Sequence, residues 1–437
     1  MTILNRLRKK ISGSIDVFLS KHDVLAENST VDDVDAYLKI WGFLKGCYEK
    51  EPELIKSSDW DKFYRSVGII FLREGDQEKA ADSAKRYINL VEEYFDTDET
   101  EHAASLHNLA MLYHSMGCYE EAQSLYQRVI NICEQQVGPH HLDTASSLNN
   151  LAALYRVMGR YQEAEPLYQR SQTIYEQQLG PYHSETATSL NNLAILYELM
   201  GRYSEAEPLY QRVRNIREQQ HGPDHHATAT SLNNLADLYH SMGLYQEAES
   251  LYNKAITIYE QQLGPDHHAT ATSLNNLADL YHSMRRYSEA EPLYQRVRTI
   301  CEQRLGSDHP DTATSLNNLA ELYRVMKRYE EAKPLYERAL KICEEQLGLD
   351  HPSTATSLNN LAELQQAMGQ YEEAKPLYER ALKICEEQLG LNHPSTAASL
   401  NNLAELYQLT GQHEEAMPLY QRSLAIYEQQ LGPEHPS

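Results

Sequence analysis

Residues 313–354 read ATSLNNLAELYRVMKRYEEAKPLYERALKICEEQLGLDHPST. The SLNNLA string inside this stretch, or a close variant, returns every 42 residues. Its first Asn falls at Asn149, Asn191, Asn233, Asn275, Asn317, Asn359 and Asn401, and His107 holds that place one period earlier. A fixed period of 20–50 residues marks a stacked-repeat architecture, in which no unit buries its apolar face alone. With position 1 set at Ala103, Ala145, Ala187 and onward, eight repeats span 103–437. Each repeat predicts two helices. In 313–354, Leu316, Leu319, Ala320, Leu322 and Tyr323 follow the 3.6-residue period of helix A. Helix A should stop at position 15, occupied by Gly117, Gly159, Gly201, Gly243, Gly369 or Gly411, because Gly takes the left-handed cap without steric cost. Arg285 and Lys327 stand there instead, which predicts local strain at two corners. Helix B should begin near position 18, carry a Pro near its first turn (Pro166, Pro208, Pro292, Pro334, Pro376, Pro418), and end at a Gly such as Gly348.

Working outward, Gly75 and Ala80 lie one period before Gly117 and Ala122, so 61–102 reads as a drifted ninth copy. Residues 1–60 do not fit the period and read as a helical N-terminal cap, with Trp41, Phe43 and Leu44 available to cover the open end. The template also explains the aromatics: 31 Tyr against 5 Phe and 2 Trp, most at positions 11, 17 and 24. The fold class is therefore all-α, a solenoid.

The small residues at positions 8 and 20, the aromatics at 11, 17 and 24, and the paired helices resemble the tetratricopeptide repeat. The 42-residue form, with LNNLA, GRYxEAEPLY and LGxDHP, resembles the repeats of kinesin light chain and bacterial arrays of that template. The resemblance covers about 61–437 and implies a right-handed superhelix whose A helices line a concave groove for peptides. Residues 1–60 lack the long heptads that precede the repeats in kinesin light chain, so a motor subunit is not implied.

On that groove, positions 2, 5, 9 and 12 share one stripe. The position-5 Asn series, Asn149 to Asn401, offers amides that both donate and accept, suited to an extended peptide backbone. The alternative is that these amides tie neighbouring repeats; the position-6 Asn is the one expected to do so. Position 9 carries Asp237, Asp279, Glu321, Glu363 and Glu405, and position 12 adds Arg156 and Arg324. An acidic C-terminal half favours a basic or mixed-charge partner. Pairing within the helices, Asp237–His240, Asp279–His282 and Glu321–Arg324, is the competing expectation.

The net charge of −24 argues against nucleic acid. No apolar run reaches a membrane span, and six cysteines make no disulfide framework, which suits the cytoplasm. The position-31 cysteines, Cys133, Cys301, Cys343 and Cys385, read as space-fillers on helix B. Histidine at position 39 in all eight repeats fits a hydrogen bond that fixes the linker rather than a metal site. No nucleophile, phosphate-loop or metalloprotease motif occurs. The expectation is a non-enzymatic scaffold without cofactor or metal. Its alternative is a regulatory or assembly segment of a larger signalling protein, since bacterial arrays of this template are often joined to ATPase or protease domains. The sequence stops at HPS, leaving the last helix B with one apolar side unpartnered, which is what a fragment, or a surface for head-to-tail self-association, would look like.

Overall fold

The computed structural model describes residues 99–115 and 117–431; the expected cap region at 1–60 and nearly all of the drifted copy at 61–102 lie outside them. Sixteen α-helices and no strand occur among the described residues. The A helices are α1 (Glu99–Ser115), α3 (Leu142–Val157), α5 (Ser184–Leu199), α7 (His226–Ser241), α9 (His268–Ser283), α11 (Pro310–Val325), α13 (Pro352–Ala367) and α15 (Pro394–Leu409). The B helices are α2 (Tyr119–Gln136), α4 (Tyr161–Leu179), α6 (Tyr203–His221), α8 (Tyr245–Gln262), α10 (Tyr287–Arg304), α12 (Tyr329–Gln346), α14 (Tyr371–Gln388) and α16 (His413–Leu431). The fold is an all-α superhelical solenoid. The chain forms two compact units, one ending at Leu154 and one beginning at Tyr155.

Small residues set how closely the helices approach. In the unit from Tyr155, Ala164, Ala206, Ala248, Ala290, Ala332 and Ala374 at position 20 are wholly buried, as are Ala194, Ala236, Ala278, Ala320, Ala362 and Ala404 at position 8. One added methylene there would overpack the pair, at a cost of roughly 1–3 kcal/mol. The position-24 tyrosines, Tyr168, Tyr210, Tyr252, Tyr294, Tyr336 and Tyr378, are 0–2% exposed and span the gap between the two helices. In the earlier unit, Ala110, Ala122 and Tyr126 take the same roles, and Asn150 Nδ2 lies 3.2 Å from His107 Nε2.

Each turn of the template has a local cause. The corner glycines have φ near +70° to +80°, and Arg285 (φ 58°) and Lys327 (φ 60°) are the two non-glycine residues with positive φ among those described. The strain expected at those corners is present, at about 1–2 kcal/mol per residue. The linker histidine is the N-cap of the next A helix: Nδ1 of His183, His225, His267, His309, His351 and His393 accepts the N–H two residues on, at 3.0–3.2 Å. A buried Thr at position 42 adds a second tie, as where Thr312 Oγ1 donates to the Gly306 carbonyl at 2.8 Å. One expectation is corrected. The helix-B proline is not in the first turn; Pro334 is the sixth residue of α12. It orphans the carbonyl of Glu330, an exposed residue within reach of water, so the helix continues.

Neighbouring repeats are joined by two ion-pair ladders. Arg202, Arg286 and Arg328 lie over Tyr197, Tyr281 and Tyr323 at 4.1–4.3 Å and bond Glu165, Glu249 and Glu291 of the preceding repeat at 2.7–2.9 Å. Arg296, Arg338 and Arg380 reach back to Glu260, Glu302 and Glu344 at 2.6–2.8 Å. Single exposed pairs contribute little, but the Arg–Tyr stacking adds to the first ladder and the repetition makes a network.

Candidate functional site

Within the unit from Tyr155, consecutive A helices touch each other, as α11 does α13 and α13 does α15, while consecutive B helices approach less closely. The inner wall of a curved stack is its crowded side, so the A helices line the concave face. The position-5 and position-9 side chains stand on that wall, and their partners are defined.

The asparagines are largely engaged by neighbouring repeats. Asn191 Oδ1 accepts from Asn234 Nδ2, and Asn275 Oδ1 from Asn318 Nδ2, both at 2.8 Å. Asn233 accepts from Ser273 Oγ at 2.8 Å and donates to Asp237 at 3.2 Å. Asn317 and Asn359 donate to Ser357 and Ser399 Oγ at 3.1 and 3.0 Å. Asn191, Asn233 and Asn317 are only 7–9% exposed. Five of the seven position-5 amides thus bond a neighbouring repeat, the tie that was the alternative expectation for this series. Position 6 serves the same purpose, through Asn234, Asn276 and Asn318. Asn149, Asn275, Asn359 and Asn401 are half-buried. The buried Oδ1 atoms of Asn317 and Asn359 have no hydrogen-bond partner.

The acidic stripe divides in two. Asp237 accepts from Tyr252 Oη, from Asn276 Nδ2 at 2.8 Å and from Asn233 Nδ2. Burial outweighs those donors, the carboxylates of Glu198 and Asp279 add like charge, and the Asp237 carboxyl is pushed up to about 7. Asp279 accepts from Tyr294 Oη and from Asn275 Nδ2 at 2.8 Å, and burial pushes it up to about 6. Farther along, Glu321 takes a bidentate pair from Arg324 at 2.6 Å and a bond from Tyr336 Oη at 2.9 Å. Arg324 also lies 3.6 Å from Glu363, and the Glu321 and Glu363 side chains are each about a third exposed. Burial raises Glu363, with Glu321 and Glu405 repelling it and Arg324 opposing them. Glu405 is exposed and accepts from Gln366 at 3.2 Å.

Of the pairs expected within the helices, Glu321–Arg324 forms. The other two do not: His240 Nε2 meets Ser283 Oγ at 2.9 Å, and His282 Nε2 is buried without a partner. Their aspartates turn inward to the tyrosines instead. Arg156 is half-buried, close enough to Tyr168 for a side-chain hydrogen bond that lowers the tyrosine against the effect of burial. The Tyr–acid contacts were missed in sequence. The signal was available, since position 24 is Tyr in every repeat and position 9 turns acidic from 237 onward.

Among the described residues no group of three or more His, Cys, Asp or Glu could hold a metal, and no helix is long and apolar enough to cross a membrane. Cys133, Cys301, Cys343 and Cys385, the described position-31 cysteines, form no disulfide.

The sequence profile of the tetratricopeptide repeat matches residues 101–177, 144–219, 199–261, 236–303, 283–332, 311–387 and 358–429. Nothing among curated proteins matches. The putative kinesin light chain of Podosopora anserina, with nearly identical TPR-like repeats, is 33% identical over 47% of this chain and 97% of that one, with a TM-score of 0.39. A Rap protein complexed with Competence and Sporulation Factor is 13% identical over 86% of this chain and 99% of its own, with a TM-score of 0.54. The apo quorum sensor NprR from B. thuringiensis is 14% identical over 84% and 98%, with a TM-score of 0.52. The last two share the fold.

Proposed function

Because the chain belongs to the tetratricopeptide repeat family, with repeats of the kinesin light chain type, we propose that it is a non-enzymatic protein-interaction scaffold whose concave A-helix wall holds an extended segment of a partner protein. The C-terminal half selects for Lys and Arg. The observation carrying this is the row Glu321, Glu363, Glu405: the two outer carboxylates repel the central one, and Arg324 is set beside Glu321 and Glu363. A cleft lined by one sign of charge focuses its field and speeds encounter with opposite charge. Asp237 and Asp279 are buried beneath tyrosine hydroxyls, so the accessible negative charge of the stripe lies at 321, 363 and 405. The presence of Arg324 fits a mixed-charge segment, whose acidic residue would face it.

The test is the triple variant Glu321→Gln, Glu363→Gln, Glu405→Gln in the full chain. Binding of a Lys/Arg-rich peptide should weaken and lose its salt dependence. Unchanged affinity and salt dependence would place the recognition elsewhere.

A further inference from the structure

Between five and six repeats after Val157, the chain meets itself. His393 Nε2–H donates to the Val157 carbonyl at 2.9 Å, across 236 residues of sequence. We propose that the unit beginning at Tyr155 is a single superhelical turn latched to itself, and that the latch between residues 157–163 and 389–393 governs entry of a partner to the concave wall. The second half of this proposal rests on the groove reading above.

Three observations carry the latch. The first is His393. Its Nδ1 accepts the Ser395 N–H at 3.0 Å while Nε2 bonds Val157, so one neutral tautomer satisfies both nitrogens. Among the described residues, the capping histidines His183, His225, His267, His309 and His351 place no hydrogen bond on Nε2. The second is Gly159. A Cβ there would stand 2.5 Å from Pro394 Cδ, too close for any real contact, whereas the same corner at Gly243, Gly369 and Gly411 meets nothing within 4 Å. The third is the neighbouring contact of α4 with α16, where Gln162 Nε2 lies 3.4 Å from the Gln429 carbonyl.

The seam touches at points and is not packed. A cavity of about 390 Å³ lies along it, lined by Met158, Arg160, Leu391 and Asn392 among others, and Leu391 is largely exposed. Such a contact holds the turn shut without the apolar burial that would make it permanent. A segment reaching the inner wall from the side enters when the seam parts.

Two variants of the full chain, each with its own control, decide this. Gly159→Ala and Gly243→Ala meet the same backbone penalty, at φ 72° and 74°, but only the first strikes Pro394. His393→Asn and His351→Asn both keep a good helix cap, but only the first loses Val157. Small-angle scattering should show a larger radius of gyration for Gly159→Ala and His393→Asn, and no change for either control. One net hydrogen bond is worth a factor of about five in the closed-to-open ratio. The association rate of an oligolysine probe should rise by about that factor in His393→Asn, and should rise in Gly159→Ala as well. Unchanged scattering in both seam variants overturns the latch. Changed scattering with an unchanged association rate overturns its control of entry. If the probe binds no form of the protein, the basic-partner reading fails, and the scattering alone still decides the latch.

Discussion

Replacing Asp237 with Asn separates a buried carboxyl from an ordinary surface acid. Asp237 is packed against Tyr252 of α8, Asn276 of α9 and Asn233 of its own helix, with Glu198 and Asp279 contributing like charge. Its carboxyl is raised from 3.8 to about 7. Over that window the folded protein keeps a proton that the unfolded chain has released. Stability contributed by this group is therefore present at low pH and falls as pH rises from about 4 to about 7. At ~1.4 kcal/mol per pH unit, the displacement sets a ceiling of ~4 kcal/mol. Sharing of the charge penalty with Glu198 and Asp279 reduces the part owed to Asp237 alone, so about half, ~2 kcal/mol, is expected. The burial-lowered histidines nearby, His240 and His282, act with the opposite sign, losing stability as pH falls. The readout is consequently the difference between wild type and Asp237→Asn, by urea denaturation at pH 5 and pH 8. The new amide disturbs the donors around it equally at both pH values, while more of the ionisation penalty is removed at pH 8 than at pH 5. About a third of the displacement is already lost by pH 5, so with the same halving the variant should gain ~1.3 kcal/mol relative to wild type on going from pH 5 to pH 8. A difference that does not change with pH would refute the reasoning, because it would mean that Asp237 ionises as a solvated carboxyl does.

Other consequences follow from the repeated template. His309→Ala should lower stability by about 1 kcal/mol and His309→Asn by much less, since both His and Asn side chains accept the Asp311 N–H; equal losses in thermal melting would show that the ring matters for something other than capping. Arg285→Gly and Lys327→Gly should each stabilise by about 1 kcal/mol by relieving a left-handed backbone, read as an upward shift in melting temperature. Cys301→Tyr should also stabilise. Cys301 lines a cavity of about 270 Å³ with Ala271, Thr272 and Ile300, at the repeat position where Tyr259 is buried and bonds Thr230 Oγ1 at 2.8 Å. A fall in melting temperature would show that this space does not match a tyrosine ring.

The architecture was legible because each repeat states it again: apolar spacing, the Gly corner, the linker His. Even the strained corners at Arg285 and Lys327 could be named in advance, because a missing Gly at a fixed position has only one backbone consequence. The wall was less legible. Whether Asn233 faces a ligand or Ser273 depends on the distance between adjacent A helices, which a one-dimensional period does not contain. Asp237 and His240 are three residues apart on one helix, yet the aspartate turns to Tyr252, because a buried carboxylate gains more from a hydroxyl and two amides than from an imidazole that burial keeps neutral. The seam at His393 lies further still from sequence reasoning, since it sums small rotations over more than five repeats.

The most direct measurement of the central claim is a titration of the full chain with paired extended peptides, one rich in Lys and Arg and one in Asp and Glu, at low ionic strength and at an ionic strength where the Debye length has shortened to ~8 Å. The account predicts that the basic peptide binds more tightly and that its affinity falls as salt rises. Preference for the acidic peptide, or binding indifferent to salt, would contradict it.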